Sequence, residues 1–315
     1  MKRKLLERVF WRLLFGIGVL WGAATLTFVT LNLTGGDTAI AILGGPDALP
    51  TPEVLAQVRS DYGLDQPLPV QYVHYLARLA HGDLGESYRL RIPVARAIGQ
   101  QVGATFQLAL CAAPLAIFLS VLLAVLTAKR SAWIRSVSSG GELVVSSMPS
   151  FALGILLLLV FSFRFHVFPS SGTRGWETMV LPVLTLVAPI TAILTQVLRR
   201  ELEDILEQPF IAMARARGMS DAGVRLRHAL RHALIPLVTL SGFIFANLLG
   251  GAVIVETLFS RQGVGRLMVD ATTNKDAPLV LGITLLAASV YVAINFFVDV
   301  FCVFIDPRTS ASGAS

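Results

Sequence analysis

Long apolar runs alternate with short polar breaks along this chain. A helix that crosses a bilayer needs about 20 mostly apolar residues. Six segments meet that requirement, at 9–31, 102–128, 143–165, 179–198, 233–255 and 279–305. Pro114 lies inside the second, Pro149 near the start of the third, and Pro182 and Pro189 inside the fourth. Spanning helices tolerate proline where neighbouring helices or water satisfy the freed backbone groups. The pattern predicts an all-α integral membrane protein of six transmembrane helices. It divides into a cytoplasmic N-terminus with the first span at 1–31, an external segment at 32–101, and a five-span core at 102–315. The core carries a cytoplasmic loop at 199–232.

Between the first two spans the pattern changes. Gly35-Gly36, Gly44-Gly45-Pro46, Pro50 and Pro52 mark turns. Thr51-Pro52 then starts a helix that Gly63 stops, and a second short amphipathic helix ends at Gly82. Helices this short cannot bury a core alone, so they are expected to pack on the mouth of the spans.

Composition agrees with a membrane protein. The 315 residues are 54% hydrophobic and 15% charged, with mean hydropathy +0.69, against about 25% charged in soluble chains. The net charge of +6 does not point to nucleic acid, because the basic residues gather at span ends. Cys111 and Cys302 fall inside apolar runs and read as apolar filler, not as a disulfide or metal ligands. The N-terminus, MKRKLLERVFWRLL, has the charge of a signal peptide, but the following apolar run is long and lacks an obvious cleavage site. It reads as a retained span.

Lys and Arg positions orient the spans. With the N-terminus inside, inside pieces carry Lys2, Arg3, Lys4, Arg8, Arg12, Lys129, Arg130, Arg135, seven arginines from Arg199 to Arg231, and Arg308. The short outside pieces carry only Arg164, Arg174, Arg261, Arg266 and Lys275. Both termini are therefore expected in the cytoplasm.

The polar segment at 207–236 is longer than a connector needs. Pro209 suits a first helical turn, Phe210, Ile211, Met213 and Ala214 form an apolar stripe among small residues, and Gly218 ends the helix. A second, basic helix from Asp221 to His232 leads through Pro236 into the fifth span. A short helix with an aromatic and small-residue face can seat in a groove on a partner and carry rigid-body motion. The alternative is a basic helix lying on anionic lipid.

Other residues carry weaker signals. His228 and His232 have an i, i+4 zinc-ligand spacing but no third ligand, so a solvated basic face is the commoner reading. Asp299 and Asn295 are polar within the last span; for Asp299, near the cytoplasmic end, a helix-helix or lipid-boundary role is preferred over solute contact. Glu142 is placed at the start of the third span, where a helix N-terminus favours it. Asn247, followed by Gly250-Gly251, is placed either to line a pathway or to mark close helix packing. Asn32-Leu33-Thr34 matches a glycosylation sequon but abuts the membrane. There is no GxxxxGK[ST] phosphate loop, so any ATP that drives transport is bound by another polypeptide. No nucleophile triad or paired intramembrane carboxylates point to an enzyme.

The stretch ARARGMSDAGVRLRHALRHALIP resembles the cytoplasmic coupling loop of ATP-binding-cassette importer permeases. More narrowly it is similar to the dipeptide, oligopeptide and nickel group. Three further stretches agree in order. YGLDQPLPVQY with GDLGES at 82–87 resembles the external segment of that group's first-type permease subunit. VETLFSRQGVGRL resembles the stretch after its fifth span, and Asp306-Pro307-Arg308 its ending. There are departures. Gln208-Pro209-Phe210 stands where the coupling motif often has an acid, the nearest being Glu207. Ala212 and Met213 occupy the first two positions of the strict Glu-Ala-Ala pattern, and Arg261-Gln262 replaces an aromatic and a proline.

The resemblance implies a permease subunit that binds no cofactor itself. Its partners would be a homologous second permease, two cytoplasmic ATPase subunits that hold ATP and magnesium, and an external solute-binding protein, all at the lipid bilayer of the inner membrane. It assigns coupling to Phe210, Ile211, Ala212, Ala214, Arg215, Ala216, Arg217, Gly218 and Met219, and the external mouth to Gly82, Asp83, Leu84 and Gly85. The solute class it implies is peptide, or nickel and metal chelates. Leu49-Pro50-Thr51-Pro52-Glu53 and the SGTRGW loop look slightly more like the nickel branch, although no His, Cys or Met cluster marks a metal path. An ion-coupled secondary transporter is the alternative, disfavoured by the scarcity of intramembrane acids.

Overall fold

The structure, a computed structural model, describes residues 2–33, 38–43, 50–172 and 175–305. Among these residues regular structure is helical, apart from one isolated bridge between Glu86 and Pro93. The helices are α1 (Lys2–Leu33), α2 (Thr38–Ile42), α3 (Pro52–Asp61), α4 (Leu68–Ala80), α5 (Val94–Thr127), α6 (Ala132–Ser147) and α7 (Ser150–Leu157). A π-helical stretch, Leu158–Arg164, continues α7. Then come α8 (Glu177–Leu206), α9 (Pro209–Ala216) and α10 (Asp221–Gly223). A second π-helical turn, Val224–Ala229, leads into α11 (Leu230–Leu258), α12 (Val264–Thr273) and α13 (Ala277–Ile305).

Four helical stretches among the described residues are long and apolar enough to cross a membrane: Phe10–Thr30 in α1, α5, α8, and Ala277–Val298 in α13. A fifth arises if α6 and the helix from Ser150 to Arg164 count as one span, but the pair bends by 103°. The single third span expected at 143–165 is thus corrected to two helices. Met148 is extended (φ −79°, ψ 127°) because Pro149 disfavours the helical region for the residue before it, and the Ser146 hydroxyl donates to the Leu143 carbonyl at 3.2 Å in the last turn. Pro114, Pro182 and Pro189 instead sit inside unbroken helices. The fifth predicted span lies in α11, 29 residues or about 43 Å of helix.

The chain forms two compact units. One comprises residues 1–105 and 262–293. In it α4 packs on α1: the Phe28 ring lies 5.4 Å from Tyr72 and stacks on Tyr75 at 5.7 Å, and Thr25 shares a 2.6 Å hydrogen bond with the Tyr72 hydroxyl. No residue of α3 or α4 is fully buried, as expected for helices that cannot form a core of their own. Val94, Ala97, Ile98, Val264, Ala271, Leu279 and Ile283 form the core here. Gly282 lets α13 approach Val94 of α5 so closely that a Cβ would collide with it.

The second unit comprises 106–261 and 294–315. Its centre is α8, whose Leu181, Leu194, Leu198 and Leu202 are almost wholly buried. α6, α7 and α11 pack around it. Small residues permit the approach: a Cβ on Gly251 would lie 2.6 Å from Leu186 Cδ2, and one on Gly154 would collide with Leu258.

Candidate functional site

The 207–236 segment folds largely as its residues dictate. Pro209 occupies the first turn of α9 after an extended Gln208, and Gly218 turns the chain at φ +81°, a left-handed conformation that costs side chains with a Cβ about 1–2 kcal/mol. The predicted apolar stripe divides. Ile211 is fully buried, and Ala214 and Met219 pack against the same core. Phe210 (43% exposed) and Met213 (60%) face outward, with Ala212, Ala216 and Arg217 also exposed. The Phe210 ring rests 5.5 Å from His232. One side of α9 therefore anchors it, and the other presents an aromatic, a thioether and small residues.

Charges fix this helix in place. Lys129 Nζ donates to Glu207 Oε1 at 2.7 Å, and the Lys129 amide donates to Glu203 Oε1 at 3.2 Å. The hydrogen bond and charge of Lys129 hold the Glu207 carboxyl below its usual range. Glu207 is thus engaged within the chain. On the far side Asp221 accepts from Arg225 Nε at 2.7 Å and from Arg215 Nη2 at 3.3 Å, and the Arg225 bond is the main cause of its lowered pKa. Around His228 and His232 the basic face is solvated, with Arg227, Arg231 and His232 exposed; Arg225 departs from it, being buried, with its Nη1 donating to the Ala128 carbonyl at 2.6 Å and the Val125 carbonyl at 3.3 Å. The basic stretch leads on through Pro236 as its sequence indicates, since Asp221 to Leu258 runs as one helical path through the π turn.

The 82–85 turn uses glycine twice, at φ +76° for Gly82 and +80° for Gly85. Asp83 accepts from the Gly85 amide at 2.8 Å and lies 3.7 Å from Arg78, while Leu84 packs toward the core of its unit. Sequence reasoning missed the residue that holds the next turn. Asp276 is 1% exposed and accepts from Ser87 Oγ at 2.5 Å and from the Tyr88 and Arg89 amides at 3.2 Å each. It also accepts from the Leu279 amide at 3.4 Å, as an N-cap of α13. The signal was present: Asp276-Ala277-Pro278 is a helix-start pattern.

Asn247 and Gly250 line a cavity of about 580 Å³, together with Ser146, Ser150, Thr185 and Ile254. Its lining contains no charged residue. Nothing would touch a Cβ at Gly250, whereas Gly251, which also lines the cavity, packs on Leu186.

Glu142 is not at a helix start. It sits within α6, buried, and pairs with Arg199 of α8. Arg199 also donates to Thr127 (2.9 Å), Ser139 (2.8 Å) and Ser138 (3.0 Å) hydroxyls, and Ser138 donates to Glu142 at 2.7 Å. Arg199 opens a charged stretch with Arg200, Glu201, Glu203 and Asp204, and nothing in it singles out Glu142 as the partner. Arg261, at a point of departure from the family pattern, is 2% exposed and donates to Gln107 at 3.0 Å. Burial pushes its guanidinium pKa down, partly opposed by Glu256. No His, Cys, Asp and Glu group able to hold a metal exists among the described residues. The side chains of Asp299 and Cys302, the 306–308 ending, the first two glycine turns, Leu49, and part of the SGTRGW loop lie outside the described residues.

These features meet in one class. Residues 116–311 match the family described as binding-protein-dependent transport system inner membrane component, and residues 3–109 match the family of its N-terminal region. The chain belongs to this family: it is a multi-pass membrane permease subunit of an ATP-binding-cassette transporter, a transport pathway component and not an enzyme. Relatives cover nearly the whole length. The glutathione transport system permease protein GsiC of Salmonella choleraesuis is 36% identical over 304 residues, 96% of this chain and 98% of that protein. GsiC of Escherichia coli O6:H1 matches to the same extent. A protein of Brucella abortus, named as a candidate peptide transport system permease, is 36% identical over 301 residues, 93% of this chain and 95% of its own.

Proposed function

We propose that this chain is the first-type permease of a peptide importer and takes up short peptides or peptide-like solutes such as glutathione. The full-length similarity to permeases named for glutathione and peptide transport supports this choice over nickel and metal chelates. The cavity lining, with hydroxyl and amide groups and no His, Cys or carboxylate, suits amide-bearing solutes better than a chelated metal. In this reading the chain crosses the inner membrane six times with both termini in the cytoplasm, α11 supplies the fifth span, and the bent pair α6–α7 supplies the third. Residues 32–101 lie outside, and the 82–85 turn shapes the mouth that receives the solute-binding protein. A second, homologous permease completes the pathway, and Asn247 lines this chain's share of it.

The observation that carries the coupling claim is the two-sided nature of α9. Ile211 anchors it, while Phe210 and Met213 stay exposed on a short, rigidly tied helix. That surface seats in a groove of a cytoplasmic ATPase subunit. Two such subunits bind ATP with magnesium, and their closure moves α9 and the helices joined to it. The test is a tagged pull-down in mild detergent with ATPase activity assayed on the eluate, repeated with Met213→Cys as a cross-linking site. Co-elution of an ATPase and a second permease, with a cross-link from position 213 to the ATPase, is the expected result. A chain that elutes alone in several detergents, or a cross-link only to lipid, overturns the reading.

A further inference from the structure

α9 is tied from both flanks to one place that is distant in sequence, the C-terminal end of α5. Before α9, Glu207 holds Lys129, two residues beyond the end of α5. After α9, Arg215, Asp221 and Arg225 form a chain of charges that ends on the carbonyls of Val125 and Ala128. The last carbonyls of a helix lack intrahelical partners, and a cation there also meets the negative end of the helix dipole. The two ties are not equivalent. Lys129 and Glu207 have side chains 36% and 70% exposed, so solvent weakens their pair. The Arg225 side chain is 7% exposed, and its loss would strand buried acceptors. The π turn at Val224–Ala229, with Val224 and Ala229 fully buried, sets the register that points Arg225 at α5.

α9 is joined through the backbone only to α8 and α11. Motion imposed on it reaches those helices directly, and these ties carry it to the end of α5, which is otherwise bonded to α8 at Thr127 and Lys129. We infer that Arg225 is a positioning residue for coupling: it makes the end of α5 move with α9, so that ATP-driven motion is delivered to α5 as well as to α8 and α11. This inference rests on the proposal that α9 docks on the ATPase.

The experiment uses the whole co-purified transporter, with Cys111 and Cys302 replaced by serine and Ile254→Cys placed in the cavity wall as a reporter. Labelling of position 254 by a membrane-impermeant maleimide is compared without nucleotide and after trapping with ATP and vanadate. Trapped nucleotide is counted in the same samples. In the parent, trapping should change the labelling rate about tenfold, whereas in Arg225→Met the same nucleotide should be trapped with a labelling change below about twofold. Arg225→Lys, which keeps a donor for the carbonyls, should recover at least half of the change. Arg225→Met with the full labelling change overturns the inference, as does a loss of labelling and trapped nucleotide in proportion. A parent that traps nucleotide with no labelling change removes the docking proposal beneath it, and the inference with it; that failure is recognised because it appears in the parent and not in the variant.

Discussion

Replacing Glu142 with alanine isolates the energetics of the buried ion pair between α6 and α8. Both partners are nearly inaccessible, with side chains 7% and 6% exposed. Removing the carboxylate leaves the Arg199 charge in a poorly solvated place, and breaking such a pair typically costs about 3–5 kcal/mol. Arg199 keeps its three hydroxyl acceptors on Thr127, Ser138 and Ser139, so it is not wholly orphaned. The expected loss is therefore at the low end, about 3 kcal/mol. Replacing both partners, Glu142→Leu with Arg199→Met, removes the uncompensated charge and should return stability to within about 1 kcal/mol of the parent. The assay is SDS unfolding in mixed micelles followed by tryptophan fluorescence, for which Trp133 on α6 reports locally. Two outcomes refute the reasoning: Glu142→Ala within about 0.5 kcal/mol of the parent, or a double variant that loses the sum of the singles.

Other consequences follow from single contacts. Gly282→Ala should cost about 1–3 kcal/mol, because it drives a methyl into buried, β-branched Val94. Gly154→Ala should cost less, since the end of Leu258 can swing away; equal losses in the same unfolding assay would contradict this. At Gly218 an added Cβ would meet nothing within 4 Å, so the penalty is conformational: Gly218→Asn should keep solute uptake, and Gly218→Leu should abolish it with membrane insertion intact. A cysteine at Asp83 should react with an impermeant reagent in intact cells, and labelling only after lysis would invert the topology. Glu207 and Asp221 have lowered pKa values, so their ties are fully present above the ordinary carboxylate range and disappear as the pH falls below about 4. Hydrogen exchange in the last turn of α5 should thus be flat from about pH 5 to 8 after correction for intrinsic rates, and rise below pH 4.

The apolar runs made most helices legible, because a bilayer leaves the backbone few alternatives to helix. Proline was the least readable residue. Pro149 breaks a helix while Pro114, Pro182 and Pro189 do not, and the difference lies in flanking serines and in tertiary packing that periodicity does not reveal. α9 was legible as a unit from Pro209 to Gly218, but which of its apolar residues face inward depends on how it packs against the π turn at Val224–Ala229 and the core of its unit. The partners of the arginines were hidden for the same reason. Arg225 and Arg199 look alike in sequence to the solvated arginines around them, yet each spends its charge on groups of other helices. Glu142 was placed at a helix start because the break at Pro149 was not foreseen. Asp276 escaped notice although its Asp-Ala-Pro context marks a cap, because the turn it holds lies 189 residues earlier in the chain.

The most direct test is transport itself. The co-purified complex is reconstituted in proteoliposomes with ATP sealed inside and the solute-binding protein added outside. Glutathione, mixed short peptides and a nickel chelate are then offered in turn. The account predicts ATP-dependent accumulation of glutathione or peptides, lost with Gly218→Leu in this chain. Accumulation of the nickel chelate alone would contradict the proposed solute, and accumulation driven by an ion gradient without ATP would contradict the coupling mechanism.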